Sequence, residues 1–208
     1  MIVGFIGSGN VTKTLGRHLA GAGHEVLVSN SRGPETLSDV VALIGPKARA
    51  VRKEDVLKAD IVILATHFLQ APKALEGLKW HGQILVDATN AHSTEPADLS
   101  PAGVKRSLEA LKGRTSSEII AGFVPGARLV KAISNMPMAW ISDFSQNKPK
   151  TVMFVSGDDQ AAKDKVVALL EEIGFAGIDL GSLRTGGAMH QLGGPLSALN
   201  LHFVGRLR

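Results

Sequence analysis

Short apolar runs and helix-spaced apolar positions alternate along the chain. Residues 2–6 form an apolar run, Gly7-Ser8-Gly9-Asn10-Val11-Thr12 follows, and Val11, Leu15 and Leu19 then recur at helical spacing. A second run covers residues 25–29. Pro34 can start a helix that runs through Leu43 and ends near Gly45-Pro46, and residues 48–51 are a short strand candidate. Residues 59–65, ADIVILA, form the continuous apolar run expected of a parallel strand buried on both faces. Thr66-His67-Phe68 leaves that strand, a helix is expected from about residue 70 to 78, and residues 83–87 form the next strand, ending in Asp87-Ala88-Thr89-Asn90.

The second half reads less clearly. Residues 91–115 contain Pro96, Pro101, Gly103 and Gly113 and are expected to be a loop with a helix around residues 104–111. Ser116-Ser117-Glu118 opens a helix that Gly126 ends, and residues 128–133 are another strand. Gln146-Asn147-Lys148-Pro149 is the best boundary signal. Beyond it, residues 151–156 read as a strand. Asp158 can cap a long helix with Ala162, Val166, Leu169 and Ile173 on one face. Residues 175–180 are the last expected strand. Ser182 opens a helical region broken by Gly186-Gly187 and by Gly193-Gly194-Pro195. Strands alternating with helices predict an α/β fold: a Rossmann-type doubly wound parallel sheet over residues 1–146, with residues 147–208 as a small C-terminal α/β extension packed on it.

The first strand–turn–helix unit has the form of a dinucleotide site. Gly7 permits the tight turn, Gly9 lets the backbone approach a pyrophosphate, and the free N–H groups of the helix start face the anion. Thr12 replaces the third glycine of the pattern, which is expected to hold the helix slightly farther from the sheet. After the second strand an NAD site usually places an acid for the ribose hydroxyls. Here Ser29-Asn30-Ser31-Arg32 stands there, with no acid until Glu35. A guanidinium at Arg32 and a hydroxyl at Ser31 suit the 2′-phosphate of NADP, which a carboxylate would repel. The first unit is therefore expected to bind NADP.

Composition narrows the chemistry. The 208 residues include 44% hydrophobic positions, enough for a sizeable core, and no apolar stretch approaches the roughly 20 residues that span a bilayer. There is no signature of a signal peptide, and a cytoplasmic location is expected. Without cysteine the chain has no disulfide, thiolate metal site, iron–sulfur cluster or cysteine nucleophile, and without tyrosine it has no Tyr/Lys acid pair. The net charge of +4 is scattered rather than interleaved with aromatic residues, so nucleic acid is not an expected partner. No metal-ligand pattern, paired carboxylates or Ser/His/Asp set is present.

In a doubly wound sheet, ligands lie beyond the carboxyl ends of the strands. The candidates are accordingly residues 7–11, 29–32, 65–68, 88–90 and 134–137. Ala65, Thr66, His67 and Phe68 are the candidates at the third of these strand ends. His67 can donate to a substrate carbonyl, or simply begin a helix. Asn90 and Asn135 can bond the cofactor carboxamide or a ribose, although asparagine is also common in turns. Met136, Pro137, Met138 and Trp140 form either a wall beside a flat ring or ordinary core packing.

With these segments in hand, the chain resembles the NADP oxidoreductases dependent on the deazaflavin coenzyme F420, a family related to the reductase domains of certain membrane ferric reductases. The resemblance rests on GSGNV at 7–11, Ser31-Arg32, ADIVILA at 59–65, DATN at 87–90 and Met136-Pro137. It continues through SGDD at 156–159 and GGPLSALNL at 193–201. It implies that residues 8–11 contact the pyrophosphate and that Ser31 with Arg32 holds the 2′-phosphate. It also implies that residues 66–68 and the stretch from Ala132 to Met136 line the nicotinamide side. The implied reaction is hydride transfer between NADP(H) and F420, a flavin or a similar flat acceptor, with His67 and Asn135 as the catalytic candidates. Two positions depart from the family: His67 stands where members often have proline, and Ser134 where they have histidine. A dehydrogenase of a small carbonyl or imine and a non-catalytic NADP-binding sensor are the alternative expectations, and an apolar C-terminal helix pair makes a homodimer the expected assembly.

Overall fold

The structure, a computed structural model, describes residues 1–141 and 149–205. In chain order its first half contains β1 (Ile2–Ile6), α1 (Asn10–Gly21), β2 (Glu25–Ser29), α2 (Ser38–Ile44), β3 (Ala48–Ala50), β4 (Ile61–Leu64), α3 (Ala71–Leu75) and β5 (Ile84–Asp87). There follow α4 (Pro101–Ala110), α5 (Ser116–Ala121), β6 (Arg128–Ala132), β7 (Lys150–Gly157), α6 (Gln160–Glu172), β8 (Ala176–Asp179), α7 (Thr185–His190) and β9 (His202–Phe203). The strands lie in the order β3-β2-β1-β4-β5-β6-β7-β8. β1 to β6 are parallel, and the chain leaves β1 first toward β2 and β3, then crosses to β4 on its other side. That reversal is the switch point of a doubly wound, Rossmann-type sheet.

The strands are apolar because both faces are covered. Along β4, Ile61 and Ile63 join a core with Val3, Phe5, Leu15 and Leu19 on the α1 side. Val62 and Leu64 join a second core with Leu75, Leu85 and Ile120 on the other. Successive residues of one strand thus serve opposite layers, as the pleat requires.

The second half differs from the sequence reading in several particulars. β7 runs antiparallel to β6, with Val130 opposite Gly157 and Ala132 opposite Val155, and β8 returns parallel to β7. The cap of α6 is Asp159, whose side chain accepts from Ala162 N at 2.8 Å; Asp158 instead accepts from Leu183 N at 3.1 Å. Gly186 and Gly187 do not break a helix. They lie buried inside α7, and a Cβ on Gly186 would stand 2.6 Å from the Leu180 carbonyl oxygen, so the glycine lets α7 settle on the sheet. β9 is two residues long, too short to announce itself in the sequence. The boundary expected at 146/147 and most of its turn signal lie outside the described residues.

Candidate dinucleotide site

The turn after β1 is shaped by backbone crowding. Gly7 has φ 119° and its N–H donates to the Ser29 carbonyl at 2.9 Å. A Cβ there would lie 2.2 Å from the Ala65 carbonyl oxygen, so both the conformation and the space demand glycine. Gly9 is the N-cap of α1, exposed, with open space where a side chain would be. No side chain caps α1 and no acid occupies its first turn. The orphan N–H groups of that turn and the positive end of the helix are left to an anion. Thr12 is fully buried and donates its hydroxyl to the Gly7 carbonyl at 2.8 Å. The residue in place of the third glycine therefore ties the helix to the turn.

The turn after β2 is held by Asn30. Its side-chain oxygen accepts from Arg32 N at 2.9 Å and Gly33 N at 3.0 Å, while its amide donates to Thr36 Oγ1 at 2.9 Å. This Asx turn leaves Ser31 and Arg32 exposed at the rim. The two turns open into one cleft of about 970 Å³ along the carboxyl ends of β1, β2, β4 and β5. Gly7, Ser8, Gly9, Asn10, Val11, Ser31, Arg32, Ala65, Thr66 and His67 line it together. Its size lies at the upper end for small-molecule sites. An uncapped, acid-free helix start at one point and Ser31-Arg32 at another fit the pyrophosphate and 2′-phosphate of a dinucleotide.

The remaining candidates lie elsewhere. Phe68 begins a short 3₁₀ turn and packs against the second core. Ala132 and Met136 are buried in the first core, and Pro137 is exposed outside the cleft lining. Asn135 is 1% exposed, its carbonyl accepts from Ala198 N at 2.7 Å, and its carboxamide has no partner among the described residues. Asn90 donates to the Ser134 carbonyl at 2.8 Å and accepts from Leu192 N at 3.1 Å, so it joins three segments.

The cleft also contains residues that the sequence reading passed over. Arg52, Lys53 and Glu54 follow β3, while Gln70, Lys73, Ala74 and Glu76 come from α3 and its flanks. The rule that ligands gather at strand ends would have found Arg52 had it been applied to β3. At the opposite end, His67 Nε2 lies 3.6 Å from Glu95 Oε1, and both line the cleft. His92 nearby is held below the usual histidine range by burial and then by the charge of His67.

A buried polar cluster supports the ends of β5 and β6. Asp87 accepts from Thr89 N at 2.9 Å and from Ser117 Oγ at 2.6 Å. Lys131 Nζ donates to the Thr89 carbonyl at 3.1 Å and to Ser116 Oγ at 3.3 Å. Burial lowers the Lys131 pKa, and the Asp87 carboxylate works against that shift. On α7, His190 Nε2 and Ser156 Oγ are 2.9 Å apart. Burial first, and the Lys131 charge second, push His190 down to about 3. One sequence signal for the cluster is Lys131, flanked by apolar residues inside the strand RLVKA.

The model of the family described as NADP oxidoreductase, coenzyme F420-dependent, matches residues 2–91. The solved structure of the hypothetical protein SMa0349 from Sinorhizobium meliloti is 35% identical, covers 97% of this chain and 94% of that one, and superposes with a TM-score of 0.84. Over residues 2–91 the chain carries the pattern of the F420-dependent NADP oxidoreductase family. A second structure, from Arthrobacter sp. FB24 and provisionally assigned as an F420-dependent NADP reductase, is 27% identical over 88% of this chain and 86% of that one, with a TM-score of 0.67. Rat metalloreductase STEAP3 is 29% identical over 184 residues, which is 87% of this chain but 34% of the rat protein. The chain spans about a third of the length of the curated relatives it matches. The family match falls on the cleft: residues 2–91 contain the glycine turn, Ser31-Arg32 and His67. Among the described residues, no helix is long and apolar enough to cross a membrane.

Proposed function

We propose that the chain binds NADPH along the cleft and exchanges a hydride between it and a flat redox acceptor, a deazaflavin of the F420 type or a flavin. One observation carries this reading: the acid-free start of α1 and the Ser31-Arg32 rim share a single cleft. The first-turn N–H groups of α1 hold the pyrophosphate, with Gly9 allowing close approach. Ser31 and Arg32 hold the 2′-phosphate. Ala65, Thr66 and Ala88 form the wall toward the reacting end. When bound, NADPH supplies a hydride from its nicotinamide ring. The protein's part is to set two rings face to face and exclude water, which calls for no acid–base pair in contact with both rings. Asn90 keeps the ends of β5 and β6 in register behind that wall.

The second reading is reduction of a small carbonyl or imine, favoured by the His67–Glu95 pair at the cleft mouth. Hydride addition to a C=O or C=N group needs one proton, which His67 can donate with Glu95 orienting its ring. Oxidation of NADPH followed by absorbance, with F420, FMN, FAD, ferric chelates and a panel of imines as acceptors, separates the two. Turnover with F420 or a flavin supports the first reading. Turnover confined to imines or carbonyls replaces it with the second, and tight NADPH binding without turnover on any acceptor overturns both.

A further inference from the structure

We infer that Arg52 is a second cation for the 2′-phosphate, acting beside Arg32 from the neighbouring strand end. The inference rests on the reading of the cleft as an NADPH site and adds a contact from outside the β2 turn.

The register carries it. β2 and β3 are parallel with Val28 opposite Ala50, and Val51 N donates to the Val28 carbonyl at 2.9 Å. One step further on, Arg52 leaves the sheet level with Asn30, two residues before Arg32. The two arginines thus follow neighbouring strand ends, and both line the same cleft. Among the described residues, β3 is the outermost strand on this edge, with no further strand beyond it.

The charges around it point the same way. Arg49 on β3 lies 3.7 Å from Glu25, and Lys53 Nζ donates to the Glu76 carbonyl at 2.7 Å. Among the described residues, neither Arg32 nor Arg52 forms a salt bridge, and both are exposed; Asp55, which feels the Arg52 charge, is bound directly by Lys58. A phosphomonoester carries about −1.5 to −2 charges at neutral pH. One guanidinium leaves part of that charge unmatched, and Glu54 on the same wall adds to it. A second guanidinium offsets both, and its planar fork suits phosphate oxygens better than an ammonium does.

Equilibrium titration of NADPH, NADH, 2′,5′-ADP and 5′-AMP into the wild-type chain, Arg52→Ala, Arg52→Glu and Arg32→Ala tests this. Arg52→Ala should weaken NADPH and 2′,5′-ADP by about tenfold, leave NADH and 5′-AMP within about twofold, and flatten the salt dependence of NADPH binding. Arg52→Glu should weaken NADPH further still. Because Arg52 is exposed, thermal melts of both variants should match the wild type. If Arg52→Ala leaves NADPH within about twofold while Arg32→Ala abolishes the preference for NADPH, the inference fails and the cleft reading stands. Equal losses for NADPH and NADH on Arg52→Ala also overturn it, since Arg52 would then serve the shared adenosine. A wild-type chain with no preference for NADPH, unaltered by Arg32→Ala, removes the cleft reading and the inference together.

Discussion

Lys131 Nζ lies 4.0 Å from Asp87 Oδ2, and neither side chain is exposed to solvent. The two strands that carry them are parallel, with Asp87 directly opposite Lys131. The pair sits at the level where β5 and β6 deliver the chain to the loops beside the cleft. Removing one partner would leave a buried charge without its counterpart. Asp87→Asn or Lys131→Met should therefore destabilise the protein by about 3–5 kcal/mol, measured by urea unfolding. Replacing both with apolar residues should cost less than the sum of the single changes; full additivity would mean that the two charges are independent.

The position of His190 predicts an acid-sensitive fold. Its folded pKa of about 3 lies below the unfolded value near 6.5, so the unfolded chain binds the extra proton between those limits. Stability is complete above about pH 6.5 and declines as the pH falls toward 3. Between pH 7 and 5 this one group accounts for about 2 kcal/mol, and His92 adds to the loss in the same direction. His190→Gln should flatten the urea midpoint across that interval. An unchanged slope would place the acid sensitivity elsewhere.

Arg32→Ala should raise the Kd for NADPH at least tenfold and that for NADH less than about threefold, because only the former carries the 2′-phosphate. Fluorescence titration with both cofactors measures it.

Substitution of His67 distinguishes the two chemistries. If two rings exchange a hydride directly, His67→Ala changes kcat by less than about tenfold. If His67 protonates a carbonyl or imine, kcat falls by about 100-fold or more and NADPH affinity stays within about twofold. Under the second chemistry, Glu95→Gln shifts the pH–rate profile and retains most of the turnover.

Thr12→Val removes the hydroxyl that reaches the Gly7 carbonyl and keeps the side-chain volume. The expected loss is about 1–2 kcal/mol of stability by urea unfolding. Gly7→Ala should be more damaging than Thr12→Val, since the new methyl group meets the Ala65 backbone.

The sheet and the glycine-turn end of the cleft are legible because each is written in a short stretch. β1, the glycine turn and β2 are consecutive, and the turn residues Ser31-Arg32 follow at once. What could not be read depends on residues far apart in sequence. The antiparallel entry of β7 follows from a connection with no periodic pattern of its own. Asn90 ends a strand, and the role of its carboxamide in joining Ser134 and Leu192, the latter 102 residues away, has no signal in the sequence. Asp158 and Asp159 are equal candidates for a cap in sequence, and only the approach of Leu183 distinguishes them. Arg52 was hidden for a different reason: β3 is three residues long, and a strand that short draws little notice to the residue after it.

Asn90 also bears on how this chain can be rebuilt. A designer wishing to exchange the segment after α7 for that of a relative would be replacing one end of a clasp whose other end sits in the β5 loop. The graft would need a backbone N–H where Leu192 now offers one, or the strand-end loop would lose its anchor. The C-terminal segment is therefore not an interchangeable module, and chimeras that move it without residue 90 should disturb the cleft from behind.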